Sequence, residues 1–408
     1  MDQELFYLKD KQTSLLFADG EIKIKEAHES SGYGVRVFQD NKLGFSYCDS
    51  EEDLKKTIEQ AKKIARFEAR GFSFQKKSNY QKMDIFDNKI RDIEERELRD
   101  ELYKIKEGVE KYTKHCRINI EVGSIQVRIE NNNGLNAQYE KTGFGVYAEA
   151  MLDDGLGYSY YSSTSLPKDL LKIGEEAGKM AKEMKGAKKL QKGTYTVVFE
   201  LESLHSLINV LLPSFSGDWK RRKISMLENK IDEKMFSEKL SIYDDATAIA
   251  SARKPFDDEG TASKKITLVE LGAVKNFLYD LETAALDNKY LCGSCARSDY
   301  SSHPIIGHSN IIINKGDYNK FEDELGEFLI VKSLHGTHTS NLTTGDFGVE
   351  VNAGSYYKNK ELRPVRGFII SGNIFNLFNS IQGMEKKTSV FEDLIAPRIA
   401  FSNIKVVS

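Results

Sequence analysis

Residues 32–65 read GYGVRVFQDNKLGFSYCDSEEDLKKTIEQAKKIA, and residues 143–181 repeat the pattern as GFGVYAEAMLDDGLGYSYYSSTSLPKDLLKIGEEAGKMA. Each copy opens with Gly-aromatic-Gly-Val, passes through a polar turn and returns through Leu-Gly-aromatic-Ser-Tyr. Alternating apolar and polar residues on both sides of a turn predict an antiparallel hairpin. The repeat therefore predicts two copies of one unit, a hairpin followed by a helix.

The helix that closes each copy has one apolar stripe. In the first copy the stripe is formed by Leu54, Ile58, Ala61 and Ala65, and the second copy repeats the spacing from Leu170 to Ala181. Residues at this spacing lie on one face of a helix, and that face needs a partner to bury it. We expect each helix to lie across one face of its hairpin.

The rest of the chain extends this unit into an α+β protein. A charged helical stretch and a hairpin that turns at Asn131–Gly134 separate the two copies, and a lysine-rich linker at 185–193 follows the second. Short alternating strands then dominate, with helices predicted at 202–212, about 280–288, 320–335 and 374–382. We predict an N-terminal hairpin-helix unit (1–90), a central α/β region (91–189) and a mainly antiparallel β domain (190–408).

Composition restricts the class of protein. The 408 residues include 59 basic and 62 acidic side chains, a net charge of −3, which gives no sign of a nucleic-acid or membrane partner. No apolar run approaches the ~18 residues of a membrane span, and the N-terminus lacks the features of a signal peptide. Four irregularly spaced cysteines fit a reducing compartment, so we expect a cytoplasmic protein.

His205, in LESLHSLINVLLPSFSGDW (201–219), lies on a predicted helix and is a candidate metal ligand. A zinc peptidase helix carries two histidines and a glutamate, because the imidazoles bind the ion and the carboxylate moves the proton. Here Ser206 follows the histidine, and no other residue from Leu204 to Phe215 can ligate zinc. We expect His205 to be a bystander and the chain to bind no metal.

Two other clusters could have chemical roles. Cys292, Cys295, His303 and His308 are all residue types that zinc accepts, although the gap between the pairs is short for a zinc finger. The stretch 334–351, LHGTHTSNLTTGDFGVEV, is rich in hydroxyls and amides before an alternating strand. Such a strand entrance suits the docking of an extended peptide, and a solvated turn is the alternative.

Several stretches together resemble the TldD/PmbA family over nearly the whole chain. They are the N-terminal GYGVRVFQDNKLGFSY, SGDWKRRKIS (216–225), KPFDDEG (254–260) with the hairpin after it, the stretch 337–378 beginning THTSNLTTGDF, and the terminal FSNIKVV. The resemblance implies a zinc peptidase of two related subunits, TldD and TldE (PmbA), that acts on unfolded or small peptides. In that family TldD carries the zinc through an HExxxH helix and a later cysteine, and TldE lacks both.

This sequence follows the TldE pattern, because HExxxH is absent before SGDWKRR and no cysteine follows Gly383. The resemblance therefore implies a non-catalytic subunit with no cofactor of its own, whose zinc is on a TldD-like partner. The C-terminal β domain would form the substrate channel and the subunit contacts, and the stretch from Thr337 to Phe347 would line the substrate path. The predicted substrate-binding residues are Thr337, His338, Thr339, Ser340, Asn341, Thr344, Gly345, Asp346 and Phe347.

Two alternatives remain open. The chain could be a stand-alone peptide-binding or regulatory homodimer without a protease partner. It could also be an autonomous zinc enzyme that uses Cys292, Cys295, His303 and His308. The family's older label, modulator of DNA gyrase, has no support in the balanced charge.

Overall fold

Two large, mainly antiparallel sheets form the frame of the molecule. The computed structural model describes residues 1–69, 71–289 and 293–407. The first sheet has the strand order β4-β3-β2-β1-β5-β6-β7. Its strands are β1 (Asp2–Ala18), β2 (Glu21–Gln39), β3 (Lys42–Cys48), β4 (Phe67–Glu68), β5 (His115–Asn131), β6 (Asn136–Leu152) and β7 (Gly155–Ser163).

Four helices accompany this sheet. They are α1 (Leu54–Lys63), α2 (Asn88–Arg91), α3 (Glu95–Glu110) and α4 (Leu170–Glu183), with a 3-10 turn at Glu51–Asp53. Helices α3 and α4 pack against each other, and their apolar faces join those of β5 and β6 in one buried cluster. The predicted repeat is confirmed as two hairpins, β2–β3 and β6–β7, each with its helix on one face.

The second sheet forms the C-terminal part of the chain. Its strands are β8 (Gly193–Phe199), β9 (Ile242–Asp245), β10 (Lys265–Glu270), β11 (Ala273–Val274), β14 (Ile311–Ile313), β15 (Glu327–His335), β16 (Asp346–Lys358), β17 (Glu361–Val365), β18 (Phe368–Asn373), β19 (Ile381–Phe391) and β20 (Leu394–Val407). Strand β8 pairs with both β15 and β20, so five strands close into a ring. A small ribbon, β12 (Cys295–Ala296) with β13 (Ile305–Ile306), stands apart.

Short helices connect these strands. They are α5 (Leu201–Leu211), α6 (Gly217–Arg221), α7 (Leu281–Asp287), α8 (Phe321–Glu324) and α9 (Ile374–Asn379), with 3-10 turns at Leu212–Phe215 and Thr337–Thr339. The largest hydrophobic cluster lies between α5, α9 and the closed strands. Mixed helices and mostly antiparallel strands confirm the predicted α+β class.

The helix predicted at 320–335 is wrong over most of its length. Only Phe321–Glu324 is helical, and residues 327–335 form β15 between β16 and β8. The local pattern of EFLIVKSLH, with its short apolar run, is compatible with either a helix or a strand. Hydrogen bonding to a neighbouring strand on each side stabilises the strand. The helix predicted at 374–382 is likewise shorter and ends at Asn379.

The first sheet combines strands from both predicted N-terminal regions, and the boundaries at 90 and 189 stay a prediction. Within the described residues, no helix is both long enough and apolar enough to cross a bilayer. The cytoplasmic location also stays a prediction.

Candidate functional site

Helix α5 places His205 at the edge of the C-terminal core. Leu204, Leu207 and Ile208 are buried on its inner side, and the 3-10 turn that contains Pro213 follows the helix. Proline at the start of that turn removes a backbone donor and favours the end of the α-helix. The side chain of His205 is 14% exposed and points away from the aliphatic cluster, so its ring nitrogens need polar partners.

A compact polar cluster supplies those partners. His205 Nε2 lies 2.7 Å from Asp393 Oδ1 and 3.6 Å from Glu392 Oε2. On the other side of the same carboxylate, His308 Nε2 lies 3.1 Å from Asp393 Oδ2. We call these four residues the His205–Asp393 cluster. It joins α5, the segment before β14 and the turn between β19 and β20.

The turn that carries the two acidic residues is held by backbone hydrogen bonds from both sides. Ser251 N donates to Glu392 O at 3.1 Å, and Ile311 N donates to Asp393 O at 2.7 Å. Glu392 has a φ of 50°, a left-handed conformation that a residue with a Cβ adopts rarely. The surrounding structure therefore sets the backbone positions of both acidic residues.

The cluster shifts the protonation of its members. Burial opposes a charge on His205, but the hydrogen bond and the negative charge of Asp393 outweigh it and raise the pKa of the imidazole. Burial likewise opposes a charge on Asp393, and hydrogen bonds from the two histidines hold the pKa of that carboxyl well below its usual range. One turn earlier on α5, burial raises the pKa of Glu202 to about 7.

Two cavities flank the cluster. One, of about 180 Å³, is lined by Asn209, Trp219 and His308 among others. The other, of about 350 Å³, has Tyr160, Phe391 and Glu392 in its wall. Small solutes can therefore reach the cluster from either side.

Helix α5 does not fit the HExxxH ligand set. Ser206, in the glutamate position, donates its hydroxyl to Glu202 O of the preceding turn at 3.1 Å. Val210, in the second histidine position, is 2% exposed and belongs to the apolar core. His205 is the only residue of the HExxxH motif that α5 carries. Helix α5 therefore cannot hold a catalytic zinc ion through that motif.

The alternative zinc site predicted from sequence does not assemble among the residues that the structure describes. Cys292 lies outside the described residues. Cys295 is 1% exposed, and burial first, with acidic neighbours second, raises the pKa of its thiol well above the usual range. The ring of His303 lies 4.3 Å from that of Phe45 on the first sheet, whereas His308 faces Asp393. Among the described residues, the ligand atoms of Cys295, His303 and His308 do not lie close enough together to hold a metal ion.

The predicted substrate stretch forms a structured turn beside α5. Its 3-10 turn at Thr337–Thr339 packs against that helix. Asn341 Oδ1 accepts hydrogen bonds from Thr343 N at 3.0 Å and Thr344 N at 3.1 Å, as in an Asx turn. His338, Thr339, Asn341 and Asp346 are exposed, Thr337, Ser340 and Thr344 are half-buried, and Gly345 and Phe347 are buried.

Three family models together match almost all of the chain. They are described as PmbA/TldA metallopeptidase domain 1 (residues 4–65), the central domain (73–185) and the C-terminal domain (192–408). This chain belongs to the PmbA/TldD family of metallopeptidases. The resemblance inferred from its motifs is confirmed.

Relatives of the family match along most of their length. An uncharacterized protein of Methanocaldococcus jannaschii is 30% identical, with 98% of this chain and 95% of that protein covered. A second protein of the same organism, named a metalloprotease, is 26% identical over 92% of this chain and 88% of its own. The crystal structure of TldE from Thermococcus kodakarensis has the same fold, with a TM-score of 0.90 at 23% identity, covering 100% and 97% of the two chains.

Sequence reasoning missed the acidic half of the His205–Asp393 cluster. It singled out His205 and His308 separately, but Glu392 and Asp393 gave no signal, because an acidic pair in a hairpin turn is ordinary. Asp393 lies 188 positions from His205, and no local spacing connects them.

Proposed function

We propose that this chain is the TldE-type subunit of a two-chain zinc metallopeptidase and holds unfolded or small peptides opposite a TldD-like, zinc-bearing partner. The observation that carries the proposal is the state of α5, where Ser206 is bonded to its own helix and Val210 is in the core. Likeness to a solved TldE and to relatives named TldD homologues supports a place within this pair of subunits.

The proposed role is positional. The zinc of the partner would supply a polarised water for amide hydrolysis. This chain would supply hydroxyls, amides and exposed backbone at Thr337–Phe347, with buried Gly345 and Phe347 as the floor under the exposed turn. Backbone hydrogen bonding binds an extended peptide with little regard to its side chains, which suits unfolded substrates.

Mixing experiments test the subunit role. The full chain, a TldD-like subunit and their mixture are incubated with an unstructured fluorogenic peptide, and complex formation is followed by size-exclusion chromatography. We expect a heterodimer and cleavage that requires both chains. Peptide cleavage by this chain alone, or equal cleavage by the TldD-like subunit without it, would contradict the proposal. A stable peptide-binding homodimer that ignores the TldD-like chain would favour the stand-alone alternative.

The substrate turn is tested in the assembled complex. Replacing His338 and Thr339, both exposed, with alanine removes contacts to the peptide without disturbing the Asx turn at Asn341. We expect KM to rise about tenfold, as for the loss of ~1.4 kcal/mol of binding, with kcat little changed. Lys55→Ala on the exposed side of α1 is the control. An unchanged KM would exclude these two residues from the substrate path.

A further inference from the structure

We propose that this chain has a divalent-metal site of its own, formed by His205, Glu392 and Asp393, with His308 orienting Asp393. An imidazole and two carboxylates suit a first-row transition metal, with zinc the first ion to test. The site differs from the HExxxH-plus-cysteine set in all ligands except His205. It revises the expectation from sequence that the chain binds no metal.

The geometry is close to that of a bound ion. One ligand atom from each of His205, Glu392 and Asp393 can be chosen so that all three lie within 4.8 Å of one another. Ligands at zinc distances in a tetrahedron are separated by about 3.4 Å. The observed separations of 2.7 Å and 3.6 Å from His205 Nε2 bracket that value, so small side-chain rotations would admit the ion.

A bound ion would replace the hydrogen bond that His205 Nε2 makes with Asp393 Oδ1. This atom lies 2.7 Å from Asp393 Oδ1 and also 3.3 Å from the amide nitrogen of Asn209. A ring nitrogen carries either a proton or a lone pair, so it can serve the carboxylate or the amide donor but not both. A cation between the imidazole and the carboxylates would displace the Nε2 proton to solvent, bind the lone pair that this leaves and contact both acidic groups.

The surroundings resemble the support that metal ligands receive in proteins. His308 contacts the Asp393 oxygen that does not face His205, at 3.1 Å, and this fixes the plane of the carboxylate. The backbone of the acidic turn is anchored at Ser251 and Ile311 by the hydrogen bonds to Glu392 and Asp393. The ring of Phe391 lies 5.5 Å from that of His205 and limits its rotation.

Access to the site is partial. The side chains of His205, Asp393 and Glu392 are 14%, 20% and 35% exposed, and the two flanking cavities reach His308 and Glu392. Three protein ligands leave a position for water or another small ligand. The site would be present whether or not the chain pairs with a TldD-like subunit.

Metal uptake by the isolated full chain tests the site. The protein is stripped with a chelator, dialysed against Zn²⁺ or Co²⁺, and analysed for bound metal, for the visible absorption of Co²⁺ and by calorimetric titration. We expect one ion per chain. His205→Gln and Asp393→Asn should each weaken zinc binding at least 100-fold, and His308→Gln about 10- to 100-fold, as for an orienting residue.

Two controls separate this site from other sources of metal binding. His338→Ala, on the exposed turn, should leave uptake unchanged, and so should Cys295→Ser. Circular dichroism and thermal unfolding of every variant show whether it is folded. No uptake by the wild-type chain would overturn the proposal, as would uptake that survives in folded His205→Gln and Asp393→Asn. Loss of uptake on Cys295→Ser alone would assign the metal to the cysteine cluster instead. None of these results depends on peptidase activity, so they are independent of the subunit role.

Discussion

At the scale of single residues, Glu202 shows how burial on α5 changes acid–base behaviour. Burial is the largest cause of its raised pKa, and the negative charges of Glu200 and Glu392 add to it. The folded protein holds the Glu202 proton up to about pH 7, whereas the unfolded chain releases it near its ordinary value of 4.5. Folding stability should therefore fall as pH rises from 4.5 to 7, and the loss should persist above pH 7.

Glu202→Gln removes this titration. We expect the variant to match the wild type near pH 4.5 and to be more stable at pH 8 by about 2 kcal/mol, since burying the ionised carboxylate no longer costs free energy. Urea unfolding across this pH range measures the difference, with exposed Glu52→Gln as the matched control. Parallel stability curves for the wild type and Glu202→Gln would contradict the expected titration.

At the scale of elements, the repeat depends on a glycine under each helix. Gly44 and Gly157 are equivalent positions in the two Leu-Gly-aromatic-Ser-Tyr strands. A Cβ at Gly44 would clash with the backbone of Ala61 on α1, and one at Gly157 with Ala177 and Ala181 on α4. In both copies the helix backbone lies directly on the strand, which only glycine allows.

We expect Gly44→Ala and Gly157→Ala each to lower the free energy of unfolding by about 1–3 kcal/mol, because the helix must move away from the sheet. Gly145→Ala, in strand β6, is the control, since an added Cβ there would have no atom within 4 Å. It should be neutral or slightly stabilising, as strand glycines are intrinsically weak. Denaturant unfolding monitored by circular dichroism compares the three variants. Equal effects at Gly145 and Gly157 would refute the close helix–strand contact.

At the scale of the whole molecule, a buried charge cluster joins the first sheet to the C-terminal part of the chain. Arg36 Nε donates to Glu4 Oε1 at 2.8 Å, and its Nη1 donates to Glu259 in the KPFDDEG segment. Arg297 Nη2 also donates to Glu4, at 2.9 Å. All four side chains are essentially inaccessible to water, and their formal charges cancel. The KPFDDEG segment, part of the family resemblance, therefore helps to hold the first sheet against the C-terminal part of the chain. We call this buried charge cluster the joint.

Arg36→Met leaves Glu4 and Glu259 buried without their shared cation. Breaking a buried ion pair on one side costs about 3–5 kcal/mol, and we expect a loss of stability of that order. Exposed Arg363→Met, which removes the surface pair with Glu361, should change stability by less than about 1 kcal/mol. Calorimetry should also show whether the two parts still unfold together. A loss below about 1 kcal/mol for Arg36→Met would mean that the joint contributes little.

The sequence by itself determined the hairpin-helix repeat, the α+β class, the family and the lack of HExxxH. These features can be read from short stretches of sequence, because the period-two pattern of a strand and the 3.6-residue pattern of a helix are visible within a few residues. Local pattern was insufficient at 327–335, where pairing with β8 and β16 decided for a strand.

Only the tertiary structure decided which distant side chains meet. Asp393 reaches His205 across 188 positions, and Glu259 reaches Arg36 across 223. Neither contact follows from spacing, since a carboxylate in a turn or a loop has the same local pattern whether it faces solvent or a buried cation. Closure of the C-terminal strands and the docking of the first sheet bring these groups together, and burial then makes their pairing obligatory.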